Sequence, residues 1–141
     1  MGQAAGYAFF DHTADIGIRA RGMTLAEVFV SMAQGLIELI AEDSRLEPKD
    51  VRSVHLTAPD ANALLLTWLQ EVLFWCSAER FVPCQYALEE VTPTLLRGTV
   101  RGERFDPERH VQGREVKAIT RHLLDVDRAD GGWSAQVIVD I

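Results

Sequence analysis

The sequence predicts an α+β fold in which two largely buried helices pack against and between mainly antiparallel β-sheets. Two stretches carry apolar residues at helical spacing, and each follows a residue that can cap a helix N-terminus. From Phe81 onward the chain consists of short strand-like runs separated by glycines. Because 141 residues is the length of one domain with one core, we expect a single domain over 1–141, with 1–6 as a flexible leader.

The first third of the chain predicts two strands, a helix and a third strand. A short strand is expected at 7–10 and a second strand at 16–21, and in the second strand apolar residues alternate with others. Thr24 and Glu27 have the spacing of a capping box, which predicts a helix from this point to about Glu42. Its apolar stripe consists of Leu25, Val28, Phe29, Met32, Leu36, Leu39 and Ile40. A strand at 51–58 follows.

A second helix is predicted at 61–78, with Asp60 as its N-cap. Apolar side chains project almost all round it, so it must be covered on more than one side, and we expect it at the centre of the fold. Its aromatic residues and Phe81 are expected in the core and not on a base-stacking surface. The aromatic residues of this helix are Trp68, Phe74 and Trp75. Cys76 and Cys84 have apolar neighbours and no zinc-ligand spacing, which predicts two buried thiols.

The rest of the chain predicts strands at 81–89, 94–105, 115–120, 123–126 and 133–139. The Asp-Gly-Gly sequence at 130–132 predicts a hairpin turn between the last two. If residues 115–122 alternate as in a strand, one face carries Glu115, Lys117, Ile119 and Arg121, and the other carries Val116, Ala118, Thr120 and His122. A salt-bridged surface is the alternative to a functional role for this segment.

Composition is that of an ordinary globular protein, with 48% hydrophobic and 25% charged residues. The net charge of -7 argues against a general nucleic-acid binder, because phosphate contacts need a basic surface. Basic residues outnumber acidic ones at 97–128, so a phosphate contact would be expected there, a solvated mixed-charge surface being the alternative. The sequence contains no targeting or membrane-spanning pattern, which predicts a cytoplasmic protein without membrane contact.

Two polar segments are candidates for chemistry. Residues 11–15 (Asp-His-Thr-Ala-Asp) offer two carboxylates of the kind that hard divalent cations prefer, although two carboxylates alone make an incomplete site. Turn hydrogen bonds between two strands are the alternative. The chain closes on an apolar strand, Asp140 and the carboxylate of Ile141.

These two segments would form one site if the strands that carry them are neighbours. Three acidic groups, those of Asp15, Asp140 and Ile141, would then converge, and a cation would have to offset their repulsion and desolvation. If these strands are distant from each other, the alternative is an exposed C-terminal tail whose acidic groups repel one another. The sequence has no phosphate-binding glycine loop, nucleophile elbow or His-Glu-x-x-His pattern. His55 and His110 have no evident partner and are expected to be structural or exposed.

Residues 11–18, residues 115–120 with His122, and residues 140–141 together resemble the archease family. The resemblance extends from about Tyr7 to the last residue, with the motifs in the family's order. It implies helices packed between antiparallel sheets. It also implies an accessory role in tRNA processing, namely tRNA splicing, or in RNA repair, and not a stand-alone enzyme. Archeases promote guanylylation and multiple turnover of the GTP-dependent tRNA-splicing RNA ligase, so this chain would meet RNA only through the ligase. We expect it to be a monomer.

The resemblance also implies a bound divalent cation. Calcium is the first candidate, and manganese and magnesium are the alternatives. Its ligands would be Asp15, Asp140 and Ile141, the last through a backbone or terminal carboxylate oxygen. Four further residues are implied either to contact the ligase or to surround the cation without binding it directly: Asp11, His12, Lys117 and His122. No residue is implied to be catalytic. Arg121 stands where family members often have tyrosine, so no tyrosine role carries over to this position.

Two other functions remain open from the residues. The first is a chaperone-like interaction module, whose acidic surface would bind basic partners. The second is a metal-dependent phosphoesterase with His12 as acid or base.

Overall fold

The computed structural model describes residues 5–12, 15–42 and 44–141, and within these ranges the chain forms two helices and eight strands. In chain order these are β1 (Gly6–His12), β2 (Asp15–Gly22), α1 (Leu25–Ile40), β3 (Asp50–Thr57), α2 (Ala61–Ser77), β4 (Phe81–Thr92), β5 (Leu95–Arg104), β6 (Ala118–Ile119), β7 (Asp125–Ala129) and β8 (Gly132–Asp140). The predicted α+β class is confirmed. β1 begins at Gly6, which is the last residue of the predicted leader.

The strands form two antiparallel sheets. A three-stranded sheet has the order β3-β5-β4. A five-stranded sheet has the order β1-β2-β8-β6, and β7 also pairs with β8. The predicted hairpin joins β7 to β8: Asp130 and Gly131 have φ angles of 47° and 78°, as a two-residue type I′ turn requires. β8 thus lies between β2 on one side and β7 followed by β6 on the other.

Helix α1 begins with the predicted capping residues. The Thr24 hydroxyl accepts a 3.1 Å hydrogen bond from the backbone N–H of Glu27, whose carboxylate accepts a 3.0 Å bond from the N–H of Met23. The helix contacts β1, β2 and β8 of the larger sheet and β4 of the smaller one. It therefore fills the space between the two sheets.

Helix α2 begins after Asp60, whose carboxylate accepts a 2.8 Å hydrogen bond from the N–H of Ala63. It contacts β3 and β4 of the smaller sheet and β6 and β7 of the larger one. Inside the core, the Trp68 indole N–H donates a 2.9 Å bond to the carbonyl oxygen of Phe29 on α1. Both sheets thus cover α2, as its apolar side chains predict, and α2 shares the space between the sheets with α1.

Two side chains of this region are more exposed than predicted. Phe74 is 52% exposed, because it lies on the side of α2 that neither sheet covers. Cys84 is half-buried, at an irregularity in the pairing of β4 between Pro83 and Gln85, whereas Cys76 is buried as predicted. Burial raises the pKa of the Cys76 thiol to about 12, so this residue acts as an apolar core side chain.

The predicted strand at 115–120 is wrong in length, since β6 comprises Ala118 and Ile119 alone. The predicted faces are wrong as well: Val116 and Ile119 are both buried, although strand alternation assigns them to opposite faces. The cause lies just upstream. The N–H groups of Gly113 and Arg114 donate to the carbonyl oxygens of Ile40 and Leu39, so this segment caps the C-terminus of α1 and does not extend a sheet.

Within the described ranges, neither helix has the length and the apolar content that crossing a bilayer requires.

Candidate metal centre

The pairing of β2 with β8 brings the two predicted acidic segments together. Ile16 lies opposite Val139 and Gly17 opposite Ile138, and Asp15 and Asp140 are the next residues of the two strands beyond the Ile16–Val139 pair. Ile16 packs against the core and Val139 is fully buried in it. Because side chains alternate along a strand, Asp15 and Asp140 both project from the other face of the sheet, here called the outer face. Both residues are half-buried.

The end of β8 is held in place from its other side. Ala118 lies opposite Asp140, and the N–H of Lys117 donates a 2.7 Å hydrogen bond to the Asp140 carbonyl oxygen. Thr120 adds two bonds to the Ile138 carbonyl oxygen, at 3.0 Å from its N–H and 2.8 Å from its hydroxyl. The side chain of Ile141 packs against the core. The main-chain oxygens of Ile141 are therefore anchored beside Asp140.

The adjacent outer-face position on the same strands is closed by an aromatic ring. A Cβ atom on Gly17 would collide with the ring of Phe10, which lies across this glycine. Ile138, opposite Gly17, is 1% exposed although it lies outside the main core. An apolar layer thus borders Asp15 and Asp140 on the side toward the middle of the sheet.

Asp15 and Asp140 carry two like charges at the ends of neighbouring strands. Directly opposed residues of antiparallel strands have Cβ atoms about 4.5–5.5 Å apart. Among the residues whose side chains the structure describes, which do not include His12, no Lys, Arg or His nitrogen lies within 4.0 Å of either carboxylate. Two carboxylates at that spacing would repel each other, and a bound cation is one means of offsetting the repulsion.

The donor chemistry fits a hard divalent cation. Ca²⁺ takes roughly six to eight oxygen ligands, from carboxylates, main-chain carbonyls and water. In the described part of the chain, no group of three or more His, Cys, Asp or Glu side chains is placed to hold a metal ion. Asp15 and Asp140 would therefore have no third His, Cys, Asp or Glu ligand from that part, and other oxygen atoms, such as those of the main chain and of water, would have to supply the rest.

The other predicted residues are distributed around this point. Asp11 lies opposite Ile16, which places it on the face of the sheet away from Asp15. His12 is paired with Asp15 in the β1–β2 ladder. Lys117 is exposed and its backbone is bonded to Asp140, while His122 is exposed in the turn between β6 and β7. Thr13 and Ala14, from the middle of the N-terminal motif, lie outside the described residues.

A buried polar cluster was missed in the sequence. The Glu103 carboxylate accepts bonds of 2.8 and 3.2 Å from Arg109 and one of 2.6 Å from the N–H of Glu47. Hydrogen bonding from Arg109 lowers the pKa of Glu103 to about 2. His110, for which the sequence offered no partner, is buried with Nε2 at 3.1 Å from this carboxylate. Its Nδ1 accepts a bond from the N–H of Asp106, so the proton resides on Nε2 and is donated to Glu103.

This cluster is structural. It ties the irregular segment 105–117 to β5, and the same segment then caps α1 and reaches Asp140. The only indication of this cluster in the sequence was the number of charged residues at 103–110. Their number does not reveal which of these residues pair.

Known proteins are similar to the chain over its whole length. The family model described as "Archease protein family (MTH1598/TM1083)" matches residues 7–141. The protein archease of Pyrococcus furiosus is 38% identical over 136 residues, covering 94% of this chain and 96% of that protein. The protein archease of Methanosarcina mazei is 34% identical over 143 residues, covering 99% and 98%.

Two solved structures are also similar. The solution structure of Methanobacterium thermoautotrophicum protein 1598 is 37% identical, with a TM-score of 0.81, over 96% of this chain and 99% of that one. A Thermotoga maritima crystal structure, described as an archease and possible chaperone, has a TM-score of 0.62 over 94% of each chain. At 18% identity it supports the fold alone.

Proposed function

The chain belongs to the archease family, and from this membership we propose that it activates the GTP-dependent tRNA-splicing RNA ligase by means of a divalent cation held at Asp15 and Asp140. The β2–β8 register supports the proposal, because these two residues directly follow its last pair, Ile16 and Val139, and belong to the outer face of the five-stranded sheet. Ile141 contributes a backbone or terminal carboxylate oxygen. Calcium is the first candidate, and manganese and magnesium suit the same oxygen donors.

Each residue of the site has a specific role in this proposal. The two carboxylates bind the cation, and the backbone N–H of Lys117, which donates to the main-chain carbonyl oxygen of Asp140, holds the strand end that carries one of them. The cation, when bound, supplies positive charge that can offset the charge of phosphate oxygens in the ligase active site. Lys117 is exposed next to the site, so its ammonium group is available to the ligase or to its nucleotide. The chain acts as an accessory protein and not as an enzyme.

The proposal is tested by ligase guanylylation with labelled GTP and by counting ligation turnovers, with and without the purified chain. We expect the wild type to stimulate both. Asp15→Asn and Asp140→Asn should abolish the stimulation, while an Asp50→Asn control, at an exposed position on β3, should stimulate normally. If both site variants stimulate like the wild type, the site is wrong, and if the wild type does not stimulate, the accessory role is wrong.

Ile141 has a separate test. A Gly-Ser extension after Ile141 removes the free carboxylate at this position and should lower the stimulation. The same extension placed before Met1 serves as the matched control and should leave it unchanged. Equal activity of both would exclude the terminal carboxylate from the site. An interaction module that works through overall acidic charge would instead respond to salt and tolerate both extensions.

A further inference from the structure

The outer face of the five-stranded sheet carries a second polar arrangement, away from Asp15 and Asp140. The pairings of β1, β2, β8 and β7 line up two rows of residues across the sheet. Residues directly opposed in an antiparallel ladder project from the same face. Each row contains a small residue, an arginine, a neutral polar residue and an aspartate, in the order Ala8, Arg19, Gln136, Asp125 in one row and Gly6, Arg21, Ser134, Asp127 in the other.

All members of the two rows except Asp127 line a trough of about 630 Å³. This volume is in the usual range for small-molecule sites, which is roughly 300–1,000 Å³. Its lining includes Gly6, Ala8, Arg19, Arg21, Asp125 and Gln136. The absence of large side chains at Gly6 and Ala8 leaves the arginines accessible from the β1 side.

The two arginines have no acidic partner in the described part of the chain. Arg19 is nevertheless oriented, because its guanidinium carbon lies 4.1 Å from the centroid of the Phe10 ring. Its Nε donates a 3.4 Å bond to the Gln136 side chain. The terminal nitrogens of Arg19 thus remain available to a ligand, in the fork geometry that suits a phosphate.

The opposite wall of the trough is acidic. Asp125 is on β7, two strands away from Arg19, and adjacent strands are about 4.8 Å apart, so the two residues face each other across the trough without pairing. A simple anion would be attracted to the arginines and repelled by Asp125. A ligand with a phosphate at one end and N–H or O–H donors at the other would satisfy both walls.

We propose that this trough binds a ribonucleotide through its phosphate and its hydrogen-bond donors. Arg19 and Arg21 contact the phosphate, and Asp125 accepts hydrogen bonds from ribose hydroxyl or base amino groups. Ser134, between the two walls, offers a further polar contact, while the Gln136 amide accepts from Arg19 and donates to the carbonyl oxygen of Leu123. The source of the ribonucleotide is either a free mononucleotide or the phosphorylated end of an RNA strand. The site is independent of the proposed ligase activation, since it requires neither the ligase nor the cation.

The test is calorimetric titration of the full chain, without ligase or divalent cation and at low salt. The probes are AMP, GMP, their nucleosides, inorganic phosphate and a 5′-phosphorylated hexaribonucleotide with its unphosphorylated form. We expect a mononucleotide or the phosphorylated RNA to bind. Nucleosides and inorganic phosphate should each bind at least about tenfold more weakly, because nucleosides lack the phosphate that the arginines contact and inorganic phosphate lacks the ribose and base donors that Asp125 contacts. Tighter binding of the RNA would identify a strand end as the ligand, and binding of mononucleotides alone would identify a free nucleotide.

Variants locate the binding. Arg21→Gln should weaken nucleotide binding about tenfold, and Arg19→Gln should do the same. Asp125→Asn should weaken nucleotide binding but not phosphate binding. Arg101→Gln, at an exposed arginine of β5 in the other sheet, is the matched control and should bind like the wild type. Because Arg19→Gln also removes the contact with Phe10, Arg21→Gln provides the decisive comparison.

Three results would overturn the proposal. The first is no detectable binding of any nucleotide or RNA probe. The second is an equal loss of binding in Arg101→Gln and Arg21→Gln, because that would be an effect of overall charge. The third is tighter nucleotide binding by Asp125→Asn, because Asp125 would then only repel the ligand.

Discussion

The backbone N–H of Lys117 donates a 2.7 Å hydrogen bond to the carbonyl oxygen of Asp140. This bond joins the segment that caps α1 to the end of β8. Asp140 is thereby held between β6 on one side and β2, with Asp15, on the other. The late part of the chain therefore positions one of the two candidate cation ligands, and it does so through main-chain atoms.

Two substitutions of Lys117 separate its backbone role from its side-chain role. Lys117→Ala keeps the N–H, so we expect the free energy of unfolding to change by less than about 0.5 kcal/mol. Lys117→Pro removes the donor and should destabilise the protein by about 1–3 kcal/mol, because the Asp140 carbonyl loses its partner. Urea denaturation measures both. Equal stability of the two variants would show that the bond does not hold the strand end.

Gly113 permits the close approach of the capping segment to α1. A Cβ atom at this position would collide with the carbonyl group of Leu39. Gly113→Ala should therefore destabilise the protein by about 1–3 kcal/mol and weaken cation binding, since the segment leads to Lys117. Gly6→Ala is the matched control, because a Cβ atom on Gly6 meets no atom within 4 Å. Thermal unfolding of both variants tests this, and a Gly113→Ala protein as stable as Gly6→Ala would refute it.

The Glu103 cluster predicts a specific loss of stability in acid. Hydrogen bonds from Arg109 lower the pKa of Glu103 from 4.5 to about 2, so the charged carboxylate stabilises the folded state above about pH 4.5. This contribution is lost as the pH falls from 4.5 toward 2. Glu103→Gln should destabilise the protein by about 1–3 kcal/mol at pH 7. The difference from the wild type should shrink below pH 4.5.

The control for this prediction is Glu108→Gln, at an exposed position of the same segment. It should follow the wild type at every pH. Urea denaturation from pH 7 to pH 2.5 provides the comparison. A stability difference between wild type and Glu103→Gln that stays constant over this range would contradict the role of the charged carboxylate.

Local sequence signals predicted the elements well where one residue type determines the geometry. Thr24 and Asp60 cap the two helices as expected, and Asp130 with Gly131 makes the expected turn. The capping preferences and the positive φ angles at these positions depend on the residue itself and its near neighbours, so they are readable without the fold.

The predictions failed where distant parts of the chain compete for the same groups. Residues 115–120 have the composition of a strand, but Gly113 and Arg114 bond to the end of α1, and only Ala118 and Ile119 reach the sheet. Likewise, the burial of His110 depends on Glu103 and Asp106. The sequence predicted that Asp15 and Asp140 lie close together only if the strands that carry them are neighbours. No local pattern specifies which strands become neighbours in a sheet.

Calcium titration by calorimetry, on the isolated chain, tests the central claim most directly. Wild type is compared with Asp15→Asn, Asp140→Asn, the double variant and Asp50→Asn. If the two carboxylates bind one cation, each single variant should lose at least about tenfold in affinity, and the double variant should lose less than the sum of the two free-energy changes. Asp50→Asn should bind like the wild type. Calcium binding by Asp15→Asn and Asp140→Asn at wild-type affinity would contradict the claim.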